Sequence, residues 1–460
     1  MKNRSGKTRV TIVILGAVIL IALVPWYFII SRYLSGGDTP ELTPSPTEES
    51  SPEDAEPAVE PTPEPEPAPE PTPMPPDEPE AEEGTEPGET VNELSTTHSG
   101  LFKELNAAAS QYDCVSASLV VFDGDTGEFF TYEYGQADKE ARRKVNADTK
   151  FRVASLSKLT TVICAMVLVD EGLLDLDTDI STYFGFDVIN THFPDTPLTA
   201  RMLMQHTSSL FDSGAFQVSR DRNSSEPVRY LIERGSSFRR NRPGSHFEYS
   251  NFGYAVLGAL CERVSGKTLD TLAREALFDP LGIDAAYVPG KLQDTDNIAV
   301  LYNNQHTITR TVQDQLDVGE SELLGNDLHL AQGNLTISII DYAKILAMLG
   351  NRGILGDVRI LSADAVAAIH NTTVQGSEYK QGLATRFSSG DFIENEGFYW
   401  HTGSSYGVFA QYVYGKDFNR GVVVVTVGAT IEREESGMVD VCTDLSHIAW
   451  LVFEEEKSEG

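Results

Sequence analysis

Phe151–Thr161 reads FRVASLSKLTT and places Ser155 three residues before Lys158, where a helical pattern begins. Residues i and i+3 share a helix face, so the Lys158 amine can lie beside the Ser155 hydroxyl. Leu156, Leu159, Ile163, Met166 and Val167 form the opposite, core-facing stripe, and Gly172 supplies the stop. A serine at a helix N-terminus also sits among unpaired backbone N–H groups that favour negative charge. This is the layout of an activated nucleophile. The spacing is not specific by itself, because Ser377 and Lys380 repeat it in a polar segment without an apolar stripe. A capping serine followed by a solvated lysine is the alternative reading.

Two further short motifs lie downstream. Tyr249-Ser250-Asn251, in FEYSNFGY, immediately precedes the apolar helical run Phe252–Val264. A phenol facing a serine–lysine pair can relay protons, and an amide two residues on can orient the amine or a substrate carbonyl. Tyr302-Asn303-Asn304 repeats part of this pattern, and a half-buried packing tyrosine is the alternative. His401-Thr402-Gly403-Ser404, in FYWHTGSSYG, falls at the end of a strand-like run. Gly403 would admit close approach of substrate backbone. The Ser404 N–H could then join that of Ser155 as an oxyanion hole, each donor contributing about 10²–10³ in rate.

The ordered set is more telling than any member. Ser-x-x-Lys opening a helix, Tyr-x-Asn opening another and His-Thr-Gly on a late strand resembles the serine β-lactamase and penicillin-binding DD-peptidase superfamily, in its class-C-like branch. Met202–Leu210, MLMQHTSSL, is similar to that family's LLTHTSGL segment with Ser209 in place of glycine, and Ala331–Leu349 is similar to its segment opening a late helix. The likeness covers about residues 100–455. It implies an acyl-enzyme mechanism: Ser155 attacks a carbonyl, and Lys158 takes the proton, directly or through Tyr249. Tyr249 then protonates the leaving group and later activates water. Asn251 positions substrate and Lys158, and His401, Thr402, Gly403 and Ser404 bind substrate and form the oxyanion hole. No metal or other cofactor is implied.

Most β-lactamases of the superfamily carry lysine where this chain has His401. Histidine there is more typical of the superfamily's DD-peptidases and related esterases or amidases, and an imidazole is mostly neutral at pH 7, so the resemblance implies DD-carboxypeptidase-like action on peptidoglycan-type peptides, or on a related amide or ester. A β-lactamase or esterase of the same superfamily is the alternative, and a non-catalytic wall-binding or sensor module the second. Gly403-Ser404-Ser405-Tyr406-Gly407 also fits G-x-S-x-G. That elbow needs a helix after the serine, whereas Val408–Tyr414 alternates as a strand.

Outward from these motifs, charge divides the chain. The formal net charge is −34. Residues 1–33 carry five basic and no acidic side chains, residues 34–96 nineteen acidic and no basic ones, which leaves −20 for the remainder. Such a body repels nucleic acid. Residues 1–9 are a basic flank, and Val10–Ile30 is an apolar run near the ~20 residues that span a bilayer. The expectation is a single-pass signal anchor with a cytoplasmic N-terminus, processing near Ser31–Ser35 being the alternative. Residues 31–97, rich in Pro and Glu, are expected to form an extended disordered linker reaching on the order of 100 Å. The catalytic domain then lies outside the cell membrane.

Residues 98–460 form the expected hydrolase domain. A helix over Leu101–Tyr112 precedes a hairpin of Ala117–Phe122 with Glu128–Tyr134. Ser338–Asp341 reads as a capping box opening a helix to about Gly350. Strands Phe398–His401, Val408–Tyr414 and Val422–Val427 precede a helix from about Met438 to Phe453. The fold class expected is α/β of the α+β type: an antiparallel sheet flanked by helices (about 98–150 and 330–460) with an inserted all-helical part (about 151–329). Cys164 and Cys261 fall in apolar runs as free thiols, while Cys114 and Cys442 flank the sheet and could pair if exported. There is no HExxH or CxxC, so a metal site has no sequence support, and the body is expected to be a monomer.

Overall fold

Strands from the two ends of the region 98–460 pair with each other. The computed structural model describes residues 99–124, 127–219, 227–321, 323–371, 373–376, 378–389, 397–415, 420–433 and 437–459. Helix α1 (Ser99–Gln111) leads into strands β1 (Ser116–Asp123), β2 (Glu128–Asp138) and β3 (Arg143–Lys144). Then come helices α2 (Ser157–Asp170), α3 (Asn251–Ser265) and α4 (Ile339–Gly350), with shorter helices around them. The C-terminal part supplies β4 (Val374–Gln375), β5 (Lys380–Gln381), β6 (Arg386–Ser389), β7 (Gly397–Ser405), β8 (Val408–Gly415), β9 (Arg420–Val427) and helix α5 (Asp440–Glu459). One sheet results, in the order β4-β5-β6-β7-β8-β9-β1-β2-β3, and its neighbours are antiparallel. Opposite ends of the chain meet where Val120 lies across from Val423. All described residues belong to one compact unit.

Side chains alternate between faces along a strand, and the core divides accordingly. Val120, Phe122, Val423 and Val425 pack with Ile339, Tyr342 and Ile345 of α4. Leu119, Val121, Val422 and Val424 pack on the other face with Leu105 and Ala109 of α1 and Val441, Cys442 and Leu445 of α5. Because helices cover both faces, the unbroken run Val422–Val425 is apolar without alternation. Each such buried aliphatic side chain contributes about 1.5–3 kcal/mol.

Several expectations are corrected here. Helix α2 has no solvent face opposite an apolar stripe: Ser157, Lys158, Thr160 and Thr161 are as buried as Leu159 and Ile163. Thr161 Oγ1 donates to the Ala331 carbonyl at 2.9 Å, whereas Thr160 Oγ1 is buried with no hydrogen-bond partner among the described residues. Ser155 does not open the α-helix but lies in a 3₁₀ turn, Ala154–Leu156, ahead of it. Cys114 and Cys442 are free and buried, as are the other two cysteines, and burial pushes the Cys114 thiol up to about 12. Val408–Gly415 is a strand, so Gly403–Gly407 is not a nucleophile elbow. The expected anchor and linker (10–30 and 31–97) lie outside the described residues. Among the described residues no helix is long and apolar enough to cross a membrane.

Candidate active site

Backbone pairing sets the position of Ser155. Phe151–Arg152 forms a two-residue ladder with Thr336–Ile337, and Val153 N–H donates to the Leu335 carbonyl at 3.0 Å. Ala154 then takes φ +49°, a strained value for a residue with a side chain. The turn is pinned from below: Ser157 Oγ donates to Ala154 O at 2.6 Å, Leu335 N–H donates to Ser157 Oγ at 3.0 Å, and Tyr342 OH donates to Leu156 O at 3.0 Å. Strand β7 presses on it from the side. A Cβ on Gly403 would lie 2.4 Å from Val153 O and 3.2 Å from Ser155 N. The room that glycine leaves is therefore filled by the turn carrying Ser155, not reserved for substrate.

The serine, amine, phenol and amide converge. Lys158 Nζ, fully buried, lies 3.2 Å from Ser155 Oγ, 2.9 Å from Asn251 Oδ1 and 2.6 Å from the Gln332 carbonyl. Tyr249 OH donates to Ser155 Oγ at 2.9 Å. Lys158 also sits 5.0 Å from the centre of the Tyr249 ring. Helix α3 begins at Asn251 with Ser250 as its cap, the Ser250 hydroxyl accepting from Gly253 N–H. Gly258 lets this helix meet Leu330–Gly333 closely, since a Cβ there would fall 2.5 Å from Ala331 Cβ. That contact brings the Gln332 carbonyl within reach of the amine.

Two neighbours of the site were not read from the sequence. Asp212 accepts from Asn251 Nδ2 at 2.8 Å, from Phe252 N–H at 2.9 Å and from Ser250 Oγ at 3.4 Å. An amide's two ends are told apart by their partners, and here Asp212 holds the NH₂ so that Oδ1 faces Lys158. His206 accepts from Ser250 N–H at 3.1 Å and packs against Tyr249 with ring centres 4.4 Å apart. Burial holds its pKa well below the usual imidazole value, helped by Lys158 and Arg386. His206 lies within the quoted MLMQHTSSL segment, but nothing in that string points to Tyr249. Asp212 is an isolated carboxylate in a loop and carries no local signal.

His401 stands apart from the hydrogen-bonded group. It is buried, with its ring centre 6.4 Å from that of Tyr249. Its Nδ1 is 2.7 Å from the Thr402 carbonyl, which can only accept, so Nδ1 carries the proton. Nε2 is buried with no hydrogen-bond partner among the described residues. Burial, then Arg386 and Lys158, hold the pKa well below the usual value. The imidazole is a neutral wall behind Tyr249. Beyond Trp400, β7 has no strand on the side away from β8 among the described residues, so Thr402–Ser405 presents a free edge. Ser404 Oγ accepts from Arg433 Nη2 at 2.9 Å.

A cleft of about 460 Å³ opens at Ser155 and is lined by Asn251, Gln332, Ser404 and Tyr406 among others. Among the described residues no group of three or more His, Cys, Asp or Glu could hold a metal ion. The β-lactamase family's sequence profile matches residues 98–437. The chain belongs to the β-lactamase family. Among relatives of this β-lactamase-family protein, penicillin-binding protein 4 of Amycolatopsis lactamdurans is 29% identical over 188 residues, 40% of this chain and 48% of that protein. The chain thus spans about half the length of that curated relative. The fold is similar to that of an octameric penicillin-binding protein homologue from Pyrococcus abyssi, with TM-score 0.60 and 20% identity over 78% of this chain and 77% of that one. It is also similar to a class C β-lactamase from Rhodobacter sphaeroides, with TM-score 0.59 and 17% identity over 76% and 99% of the two chains.

Proposed function

We propose that this β-lactamase-family protein is a serine hydrolase that forms an acyl-enzyme on Ser155, acting as a DD-carboxypeptidase on peptidoglycan-type peptides or on a related amide or ester. The observation that carries this reading is the placement of one hydroxyl between an amine at 3.2 Å and a phenol at 2.9 Å. In its neutral form Lys158 donates its two N–H groups to Gln332 O and Asn251 Oδ1, leaving its lone pair for the Ser155 proton. Tyr249 gives its proton to the departing amine or alcohol and then draws one from the attacking water, while Lys158 returns its proton to the Ser155 oxygen as the acyl bond breaks. The N–H groups of Ser155 and Ser404 hold the oxyanion. A neutral, buried His401 cannot supply a cation for a substrate carboxylate, whether that of a β-lactam or of a D-Ala–D-Ala terminus, which favours a related amide or ester without one.

The same reading gives the protein a membrane anchor at residues 10–30 and a spacer at 31–97, supported by the basic flank, the apolar run and the Pro/Glu composition. The test of activity compares turnover of a D-Ala–D-Ala peptide, a nitrophenyl ester and a cephalosporin by the purified domain. Peptide or ester is expected to be fastest. Cephalosporin turnover faster by orders of magnitude would overturn the reading of His401.

Asp212 provides a separate check on the amine's placement. Asp212→Ala frees the Asn251 amide to turn its NH₂ toward Lys158, and misplacement on this scale costs about 10–100-fold in acylation rate. The expected signature, in burst kinetics, is a slower acylation step with KM little changed. A loss confined to thermal stability would leave Asp212 a purely structural cap.

A further inference from the structure

We propose that the cleft beyond Ser155 contains a carboxylate subsite, built on Arg310 and Arg152, for the part of the substrate that stays on the enzyme as the acyl group. The assignment of ends rests on the mechanism proposed above. Tyr249, which protonates the leaving group, does not line the cleft, and neither does His401. Asn251, Ser404, Ser405, Tyr406, Arg152 and Arg310 do. The chamber therefore receives the acyl portion, with the leaving group on the other side of Ser155.

Two guanidiniums converge on one ring there. Tyr406 is at the tip of the hairpin joining β7 to β8, where it and Gly407 take φ +53° and +83°. Thr309 Oγ1 donates to its carbonyl at 2.6 Å. Arg310 lies 4.0 Å and Arg152 5.1 Å from the ring centre. Stacking on an aromatic face orients each planar guanidinium. Arg152 donates to Asn334 Oδ1, which holds it at the cleft wall. Arg310 Nη1 donates to the Thr309 carbonyl at 2.7 Å, and among the described residues no carboxylate forms an ion pair with it. Asp314 lines the same cleft; its carboxylate accepts from Thr311 N–H in a capping box, and that bond, then more weakly the Arg310 charge, holds its carboxyl below the usual range.

Two cations held together in the cleft of an acidic body suit an anionic group, and the forked donors of arginine match a carboxylate. The ligand class is a peptide or ester whose retained acyl portion carries a free carboxylate. Calorimetry on Ser155→Ala, which reads binding without turnover, tests the subsite with two probes: glutaryl-D-Ala–D-Ala and the same peptide with the glutaryl carboxylate as a primary amide. The acid is expected to bind about 10–100-fold tighter, and adding Arg310→Gln should bring the two within about twofold. Equal binding of acid and amide, no binding of either, or a preference that survives Arg310→Gln would overturn the subsite. Turnover of the same peptides by the wild-type protein reads the proposed activity separately, so tight binding of the acid without hydrolysis would keep the subsite and reject the peptidase.

Discussion

Ser155→Ala is expected to abolish covalent labelling by a penicillin-type probe while the melting temperature stays close to that of the wild type. The chemical half follows from position. No other hydroxyl lies within hydrogen-bond distance of both Lys158 and Tyr249 among the described residues. Removing the nucleophile of such a concerted group typically costs several orders of magnitude in rate, with only binding and oxyanion stabilisation left. The structural half follows from what holds the turn. Its anchors are the Ser157 hydroxyl, the Tyr342 phenol and main-chain bonds to Leu335. The Ser155 side chain is not among them. Labelling and intact-mass measurement on the folded variant check both halves at once. An adduct that persists would move the nucleophile elsewhere.

Lys158→Met is the second large effect. Methionine is unbranched and of similar length, so it can follow the buried path of the lysine stem. The amine's chemistry is lost: without a group to take the serine proton, acylation is expected to slow by about 10²–10⁴-fold. Stability should fall as well, because Gln332 O and Asn251 Oδ1 lose their donor, and a buried acceptor left unpaired costs about 1–3 kcal/mol. Single-turnover kinetics separates the two, since destabilisation alone lowers the active fraction but not the rate per active molecule. A rate within about threefold of wild type would remove Lys158 from the proton path.

Legibility differed from element to element. The hairpin of β1 and β2 and the late strands β7 to β9 announce themselves through β-branched runs and turn residues, and α4 through Ser338 as its cap. Helix α2 misled, because a stripe drawn at helical spacing assumes one face in water, whereas neighbours surround this helix and bury its polar side chains with its apolar ones. Gly403 misled in a related way. A glycine on a late strand signals close approach, but the string does not say of what, and here it is the backbone of Val153–Ser155. His401 was read as a substrate ligand; the structure packs it beside Tyr249, with Nδ1 bonded to the Thr402 carbonyl and Nε2 without a hydrogen-bond partner among the described residues.

The sequence by itself determined which chemistry is available: a Ser-x-x-Lys pair, a Tyr-x-Asn and a His-Thr-Gly in the order seen in one superfamily, on an acidic body behind a basic, apolar N-terminus. Those features are local, set by spacing along one helix or strand and by composition. Tertiary structure alone decided that the Ser155 hydroxyl receives the Tyr249 phenol rather than that of Tyr302, which accepts from Lys139 N–H elsewhere. It alone also decided that Asp212 and the Gln332 carbonyl orient the site, and that Arg152 and Arg310 share one ring. Each of these pairings joins residues tens to hundreds of positions apart. Their distances depend on how helices and sheet pack, and no stretch of chain short enough to read as a motif contains that information.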